Sequence, residues 1–234
     1  MKTIGLLGGM SWESTALYYR LINEEVKKRL GGLHSAKIVM VSLDFQEIED
    51  LQARGEWDQA GVVLSAAAKQ IEAAGADLLL ICTNTMHKVA PQVEKSISIP
   101  LLHIADATAQ RIKANGLRRV GLLGTKFTME QDFYYGRLVQ VHGLEVITPS
   151  EEERELVHQV IFDELCLGVV RDSSRQAYLR IMENLREAGA QGVIEGCTEI
   201  VMLVQQEHTD IPLFDTTEIH AEAAVEAALK PFTE

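Results

Sequence analysis

The feature that most narrows what this chain can fold into is an internal repeat. Ile4-Gly5-Leu6-Leu7-Gly8-Gly9 returns 116 residues later as Val120-Gly121-Leu122-Leu123-Gly124-Thr125. Gly75-Ala76-Asp77, an apolar run and Cys82-Thr83-Asn84-Thr85 return 114 residues later as Gly189-Ala190-Gln191 with Cys197-Thr198-Glu199, which sets Thr83 against Cys197. Ile99-Pro100-Leu101-Leu102 returns 112 residues later as Ile211-Pro212-Leu213-Phe214. Three matches in one order at nearly one offset indicate a duplicated structural unit. Glycine-terminated strands common to all α/β proteins would explain the first match but not the second.

Short apolar runs alternate with stretches of helical period, the pattern of an α/β protein with largely parallel sheets. Expected strands are 3–7, 37–43, 77–81, 119–123, 144–147 and 192–194. Expected helices are 14–30, 57–74, 106–114, 129–142, 152–167, 173–188 and 218–229. The expected architecture is two similar three-layer α/β/α halves related by a pseudo-twofold axis. The first comprises residues 1–100 plus 215–234, and the second residues 101–214. Ligands of such sheets sit beyond the carboxyl ends of the strands, so the loops 8–11, 82–85, 124–128 and 196–199 are expected to line a cleft between the halves.

Composition narrows the partners. The 22 basic and 34 acidic residues give a formal charge of −12, which opposes phosphate backbones and anionic lipid; neither nucleic acid nor membrane is an expected partner. An anionic small ligand would have to be held by local donors such as backbone N–H groups. The three cysteines, Cys82, Cys166 and Cys197, have no repeated spacing and suggest neither a disulfide framework nor a metal pair. With no signal-like apolar run at the N-terminus and no membrane-length apolar stretch, a reducing, cytoplasmic setting is expected.

Gly8-Gly9-Met10-Ser11 follows a strand and precedes a helix, where glycine lets the backbone approach a ligand and helix N–H groups favour an anion. It reads as a carboxylate cradle through Gly9 and Met10, or as a plain tight turn; it lacks the third glycine of a dinucleotide site. Cys82-Thr83-Asn84-Thr85-Met86-His87 closes a strand with small polar groups. Alternation along the strand separates Cys82 from Thr83, leaving Cys82 as a buried small hydrophobe and Thr83 on the face used by Cys197. Asn84 and Thr85 can bind a ligand or cap a helix, and His87 can support the loop or move protons. Gly196-Cys197-Thr198-Glu199 places a thiol after a strand at the mouth of a helix, where the dipole favours the thiolate. Glu199 can orient that thiol or sit solvated in the first helical turn. Cys166, on an expected amphipathic helix, reads as core. No histidine pair has metal-site spacing, so no metal is expected.

These residues resemble the aspartate/glutamate racemase superfamily, in particular its aspartate-racemase-like branch, and the resemblance covers essentially the whole chain. Gly8-Gly9-Met10-Ser11 is similar to the family's opening loop. Thr83-Asn84-Thr85-Met86-His87 resembles its Cys-Asn-Thr-x-His, and Gly196-Cys197-Thr198-Glu199 its second cysteine motif. The resemblance implies a homodimeric isomerase that racemises amino acids without a cofactor, using two acid/base groups on opposite faces of the α-carbon. Cys197 and Thr83 are then catalytic, and Gly9, Met10, Asn84, Thr85, Thr125, Thr198 and Glu199 bind substrate. The chain departs from the family at Thr83, a far weaker acid than a thiol, so turnover should favour L substrates, deprotonated by Cys197. It departs again near Cys166, where some relatives carry a basic residue; Gln46, Arg54 or Lys126 could substitute in recognising an acidic side chain. The alternatives are a single-thiol decarboxylase of malonate-type acids and a binding protein that has lost catalysis.

Overall fold

The computed structural model describes residues 1–231 and divides the chain into two units. One is Met1–Ile104 with the segment beginning at His220, and the other is Ala105–Ile219. Both breaks fall a few residues beyond the expected 100/101 and 214/215, each within the opening turns of a helix.

In the first unit, β1 (Ile4–Gly8), α1 (Trp12–Leu30), β2 (Ile38–Ser42), α2 (Phe45–Ala53), α3 (Trp57–Ala73) and β3 (Leu78–Ile81) follow in turn. After them come a 3₁₀ turn (Thr85–Val89), α4 (Ala90–Glu94) and the last helix, α10 (Thr216–Leu229), most of which packs here. The sheet order is β2-β1-β3, all parallel, with Ile4 opposite both Ile38 and Leu78. Alternation sorts the side chains into two layers. Ile4, Leu6, Leu78, Leu80 and Cys82 pack with Tyr18 and Ile22 of α1 and Ala221 and Val225 of α10. Leu7, Leu79 and Ile81 pack with Leu64 and Ile71 of α3. A strand buried on both faces must be apolar throughout, which is why β1 and β3 read as unbroken apolar runs. Cys82, fully buried, is part of that core as expected.

The second unit contains α5 (Ile104–Ala114), β4 (Arg119–Gly124), α6 (Lys126–Glu130), a π-helix (Asp132–Val141), β5 (Glu145–Ile147) and α7 (Glu151–Asp163). It continues through a 3₁₀ turn (Leu165–Leu167), α8 (Asp172–Glu187), β6 (Val193–Gly196), α9 (Ile200–Leu203), a 3₁₀ turn (Gln206–His208) and β7 (Leu213–Asp215). Its sheet, β5-β4-β6-β7, is also parallel. The repeated Ile-Pro-Leu segments take equivalent places in the two units. Leu213 pairs with Val193 in the second, while in the first Leu101 makes a single parallel bridge to Leu79.

Three expectations need correction. The helix at 129–142 is broken at Gln131, whose backbone is extended; beyond it the chain winds as a π-helix held against α5 by a two-pronged Arg137–Asp106 ion pair. The helix at 152–167 stops at Asp163, and Gly168 in the left-handed conformation ends the following 3₁₀ turn. Cys166 therefore sits half-exposed on a turn and is not core. The sequence reading also lacked α2, which Asp44 caps by accepting from Gln46 N–H at 3.1 Å, and it did not place a strand at 213–215.

One residue runs against the apolar logic of the second sheet. Glu195 in β6 is 3 % exposed, one of its carboxyl oxygens has no hydrogen-bond partner among the described residues, and its neighbour across the sheet is Asp215. Burial first, and Asp215 second, push its carboxyl well above the usual range. The folded chain thus keeps a proton that the unfolded chain releases near about pH 4.5, so stability falls as pH rises above that value. Glu195→Gln removes the penalty: thermal melts should show the variant more stable than the parent by roughly 1–3 kcal/mol at neutral pH, with the difference shrinking towards acid.

Candidate active site

The polar residues singled out in the sequence collect at the carboxyl ends of the strands, in two groups, one in each unit. In the first, the chain leaves β1 through Gly8 and Gly9. Gly9 has φ +90°, and a Cβ there would overlap the Leu43 backbone, so only glycine is tolerated. The Gly9 N–H donates to Thr15 Oγ1 at 2.8 Å, and Thr15 Oγ1 donates to the Ser11 carbonyl at 2.8 Å. The amide expected to cradle a carboxylate is thus engaged by the protein itself, and Gly9 shapes the loop through its missing side chain. Met10 is buried, and Ser11 caps α1 by accepting from Ser14 N–H at 3.2 Å.

Ser14 Oγ then donates to the Cys82 carbonyl at 2.9 Å, tying the start of α1 to the loop that follows β3. In that loop Thr83 is half-buried, whereas Asn84 and Thr85 are buried. Asn84 precedes the 3₁₀ turn in a helical conformation and makes no side-chain cap bond, which removes the capping reading for it. His87 is buried, with Nδ1 2.8 Å from the Thr83 carbonyl and Nε2 accepting from the Ile104 N–H at 3.2 Å. Two further buried histidines surround it, His103 with its ring centroid at 4.4 Å and His220 at 5.9 Å. Gln52, also buried, donates to Met86 Sδ at 3.1 Å. His103, His220 and Gln52 escaped the sequence reading because no motif or spacing links residues so far apart in the chain.

In the second unit Thr125 caps α6, its hydroxyl accepting from Thr128 N–H at 3.3 Å. Gly196 ends β6, and Cys197 follows at 8 % exposure. Its thiol donates to Glu199 Oε2 at 3.0 Å, and Thr198 Oγ1 donates to the same oxygen at 2.7 Å. Glu199, itself buried, thus orients the thiol rather than lying solvated in a helical turn. The expectation that the helix dipole favours the thiolate is overturned. The following helix, α9, has four residues, too few to build a dipole of consequence. Burial, then the carboxylate of Glu199, then Cys166 push the Cys197 thiol well above its usual range. The Cys197 thiol therefore donates to the Glu199 carboxyl in surroundings that disfavour its ionisation.

The groups considered for an acidic substrate side chain are each held by protein acids. Lys126 contacts Glu155 at 2.6 Å, Arg54 pairs with Glu56, and the Gln46 amide donates to Asp50 at 2.8 Å. Among the described residues no group of three or more His, Cys, Asp and Glu side chains is arranged to hold a metal ion, and no helix is long and apolar enough to cross a membrane.

Burial, reinforced by His103 and His220, holds His87 well below the usual histidine range. An unfolded chain would protonate it near about pH 6.5 and the folded chain would not, so its contribution to stability is complete above that value and is lost as pH falls below it. Melting curves at about pH 7.5 and about pH 5.5 should show a drop in Tm that is smaller in His87→Gln than in the parent.

The sequence matches the family model described as Asp/Glu/Hydantoin racemase over residues 7–224. A crystal structure from Yersinia pestis, provisionally assigned as an Asp/Glu racemase, is 56 % identical with a TM-score of 0.93, covering 98 % of this chain and 100 % of that one. An aspartate racemase homologue from Pyrococcus horikoshii OT3 is 37 % identical with a TM-score of 0.84 over 98 % of this chain and all of its own. The broad specificity amino-acid racemase RacX of Bacillus subtilis (strain 168) is 23 % identical over 232 residues, 97 % of this chain and 98 % of its own. The match extends through both units and both strand-end loops, and the chain belongs to the Asp/Glu/hydantoin racemase family.

Proposed function

We propose that this protein racemises aspartate, glutamate or a broader set of amino acids by proton transfer at the α-carbon, without a cofactor, and that it works best on L substrates. The observation that carries the proposal is the buried Cys197–Glu199 pair, a thiol whose proton already points at a carboxylate. An α-proton is removed by a base of matched strength held in contact with it. In this reading the substrate's α-ammonium group supplies positive charge to a buried acidic site. Glu199 then accepts the thiol proton, and the Cys197 sulfur removes hydrogen from the L face. Donors from Asn84, Thr85 and Thr125 and the backbone N–H of Thr198 hold the carboxylate on which the carbanion's charge develops. Thr83, or a water it positions, returns a proton to the D face and is replenished from solvent.

A threonine hydroxyl has no depressed acidity to make it a base, so abstraction from the D face should be slow. Equilibrium is unaffected, and the asymmetry must appear in kcat and KM together. Lys126, Arg54 and Gln46 are each engaged with protein acids and are not held ready for an acidic substrate side chain. The engagement of these three groups fits breadth better than strict specificity for an acidic side chain, as does the name of the Bacillus subtilis relative. Homodimeric assembly is part of the proposal and is checked by sedimentation.

The deciding experiment incubates the protein with L- and D-amino acids in D₂O and follows α-deuterium and optical rotation. Exchange and racemisation of the L substrate are expected; carbon dioxide from a malonate would instead identify a decarboxylase, and binding without exchange a binding protein. Cys197→Ala should abolish reaction in both directions, by about 10²-fold or more, and an unaffected rate would remove Cys197 from the mechanism. Thr83→Cys should raise the rate from D substrates.

A further inference from the structure

We propose that His87 is a positioning residue which, as a neutral imidazole, fixes the Thr83 carbonyl and thereby the aim of the Thr83 hydroxyl. The inference rests on the reading of Thr83 as the group serving the D face. The geometry determines the tautomer. A backbone N–H can only donate, so the Ile104 N–H requires a lone pair on Nε2. The ring proton must then lie on Nδ1, where it donates to the Thr83 carbonyl at 2.8 Å. Both nitrogens are committed to backbone, one to the strand-end loop and one to the start of α5. No lone pair and no proton remain for a substrate, which decides between the two roles open to this residue in the sequence.

The surroundings keep the ring in that state. His220 is fixed in the same way: its Nε2 lies 2.8 Å from the Leu102 carbonyl and must donate, so Nδ1 accepts from the Tyr18 hydroxyl at 2.8 Å. With His103 and His220 packed against His87, each ring opposes a charge on His87. A second proton on His87 would also face the Ile104 N–H. The His87 N–H donates back to the Asn84 carbonyl at 3.1 Å, closing the turn. Thr83 is thus followed by a rigid hoop rather than a flexible loop. A hydroxyl that transfers protons poorly depends strongly on placement, since small displacements of a reacting group cost orders of magnitude.

The test compares His87→Leu, His87→Gln and Thr83→Val with the parent on L-aspartate in D₂O, measuring α-deuterium in recovered L substrate separately from formation of D product. Thr83→Val removes the hydroxyl but leaves the carbonyl. In His87→Leu, D-product formation should fall about tenfold or more while α-exchange in the L substrate and KM stay within about threefold of the parent. His87→Gln, whose amide can donate to Thr83 and accept from Ile104, should recover most of the lost racemisation. Its pH profile should follow the parent's between about pH 6 and about pH 8, because a neutral ring contributes no titration there. Equal loss of exchange and racemisation in a folded His87→Leu, or a limb in the parent's profile that vanishes in His87→Gln, would overturn the assignment. If His87→Leu does not fold, the His87→Gln profile and rate decide alone. The two readings fail differently. Normal racemisation by Thr83→Val would remove Thr83 from the mechanism, whereas loss of D product in Thr83→Val but not in His87→Leu would remove only His87.

Discussion

Burial of parallel strands on both faces is the constraint from which the rest follows. The strands β1, β3, β4 and β6 have helices against them and carry apolar side chains almost without interruption. Polar chemistry is then confined to the strand ends, where the chain turns and backbone groups must find partners. Thr83 and Cys197 stand just past the ends of β3 and β6 for that reason. Glu195, one residue before the end of its strand, shows the cost of leaving this rule, with a buried carboxyl pushed well above its usual range.

At such an end, reactive groups are controlled by hydrogen bonds to immediate neighbours. The Cys197 thiol is governed by Glu199, two residues on, and by its own burial, which outweigh the short helix behind it. In the proposed mechanism the first unit has a different solution: a hydroxyl in place of a thiol, on a turn that His87 ties to the Ile104 N–H. A strong acid/base group needs tuning of its proton affinity, while a weak one needs placement. In the proposed mechanism the two repeats have diverged along that line.

Much of this was legible in the chain. The duplication, the alternation of strands and helices, and the strand-end positions of the two loops all follow from local pattern, because apolar runs and turn residues are set by nearest neighbours in sequence. The repeated Ile-Pro-Leu segments marked the chain that runs beside β3 in the first unit and beside β6 in the second, even though β7 was not identified as a strand. The helix around 129–142 misled because its period is helical, while the Asp106–Arg137 pair that holds its second half depends on a distant helix. Cys166 misled because a left-handed Gly168 ends the turn that a continuous amphipathic pattern had hidden.

What the sequence determined alone is the α/β class, the repeat, and the identity of the residues that end each strand, since these rest on composition and short-range periodicity. Tertiary structure decided their chemical state. The neutral Cys197 thiol, the engaged Gly9 amide and the fixed tautomer of His87 arise from burial and from partners such as Ile104, His103 and His220. Protonation responds to distance in space and to exclusion of water, and neither is a property of neighbours along the chain.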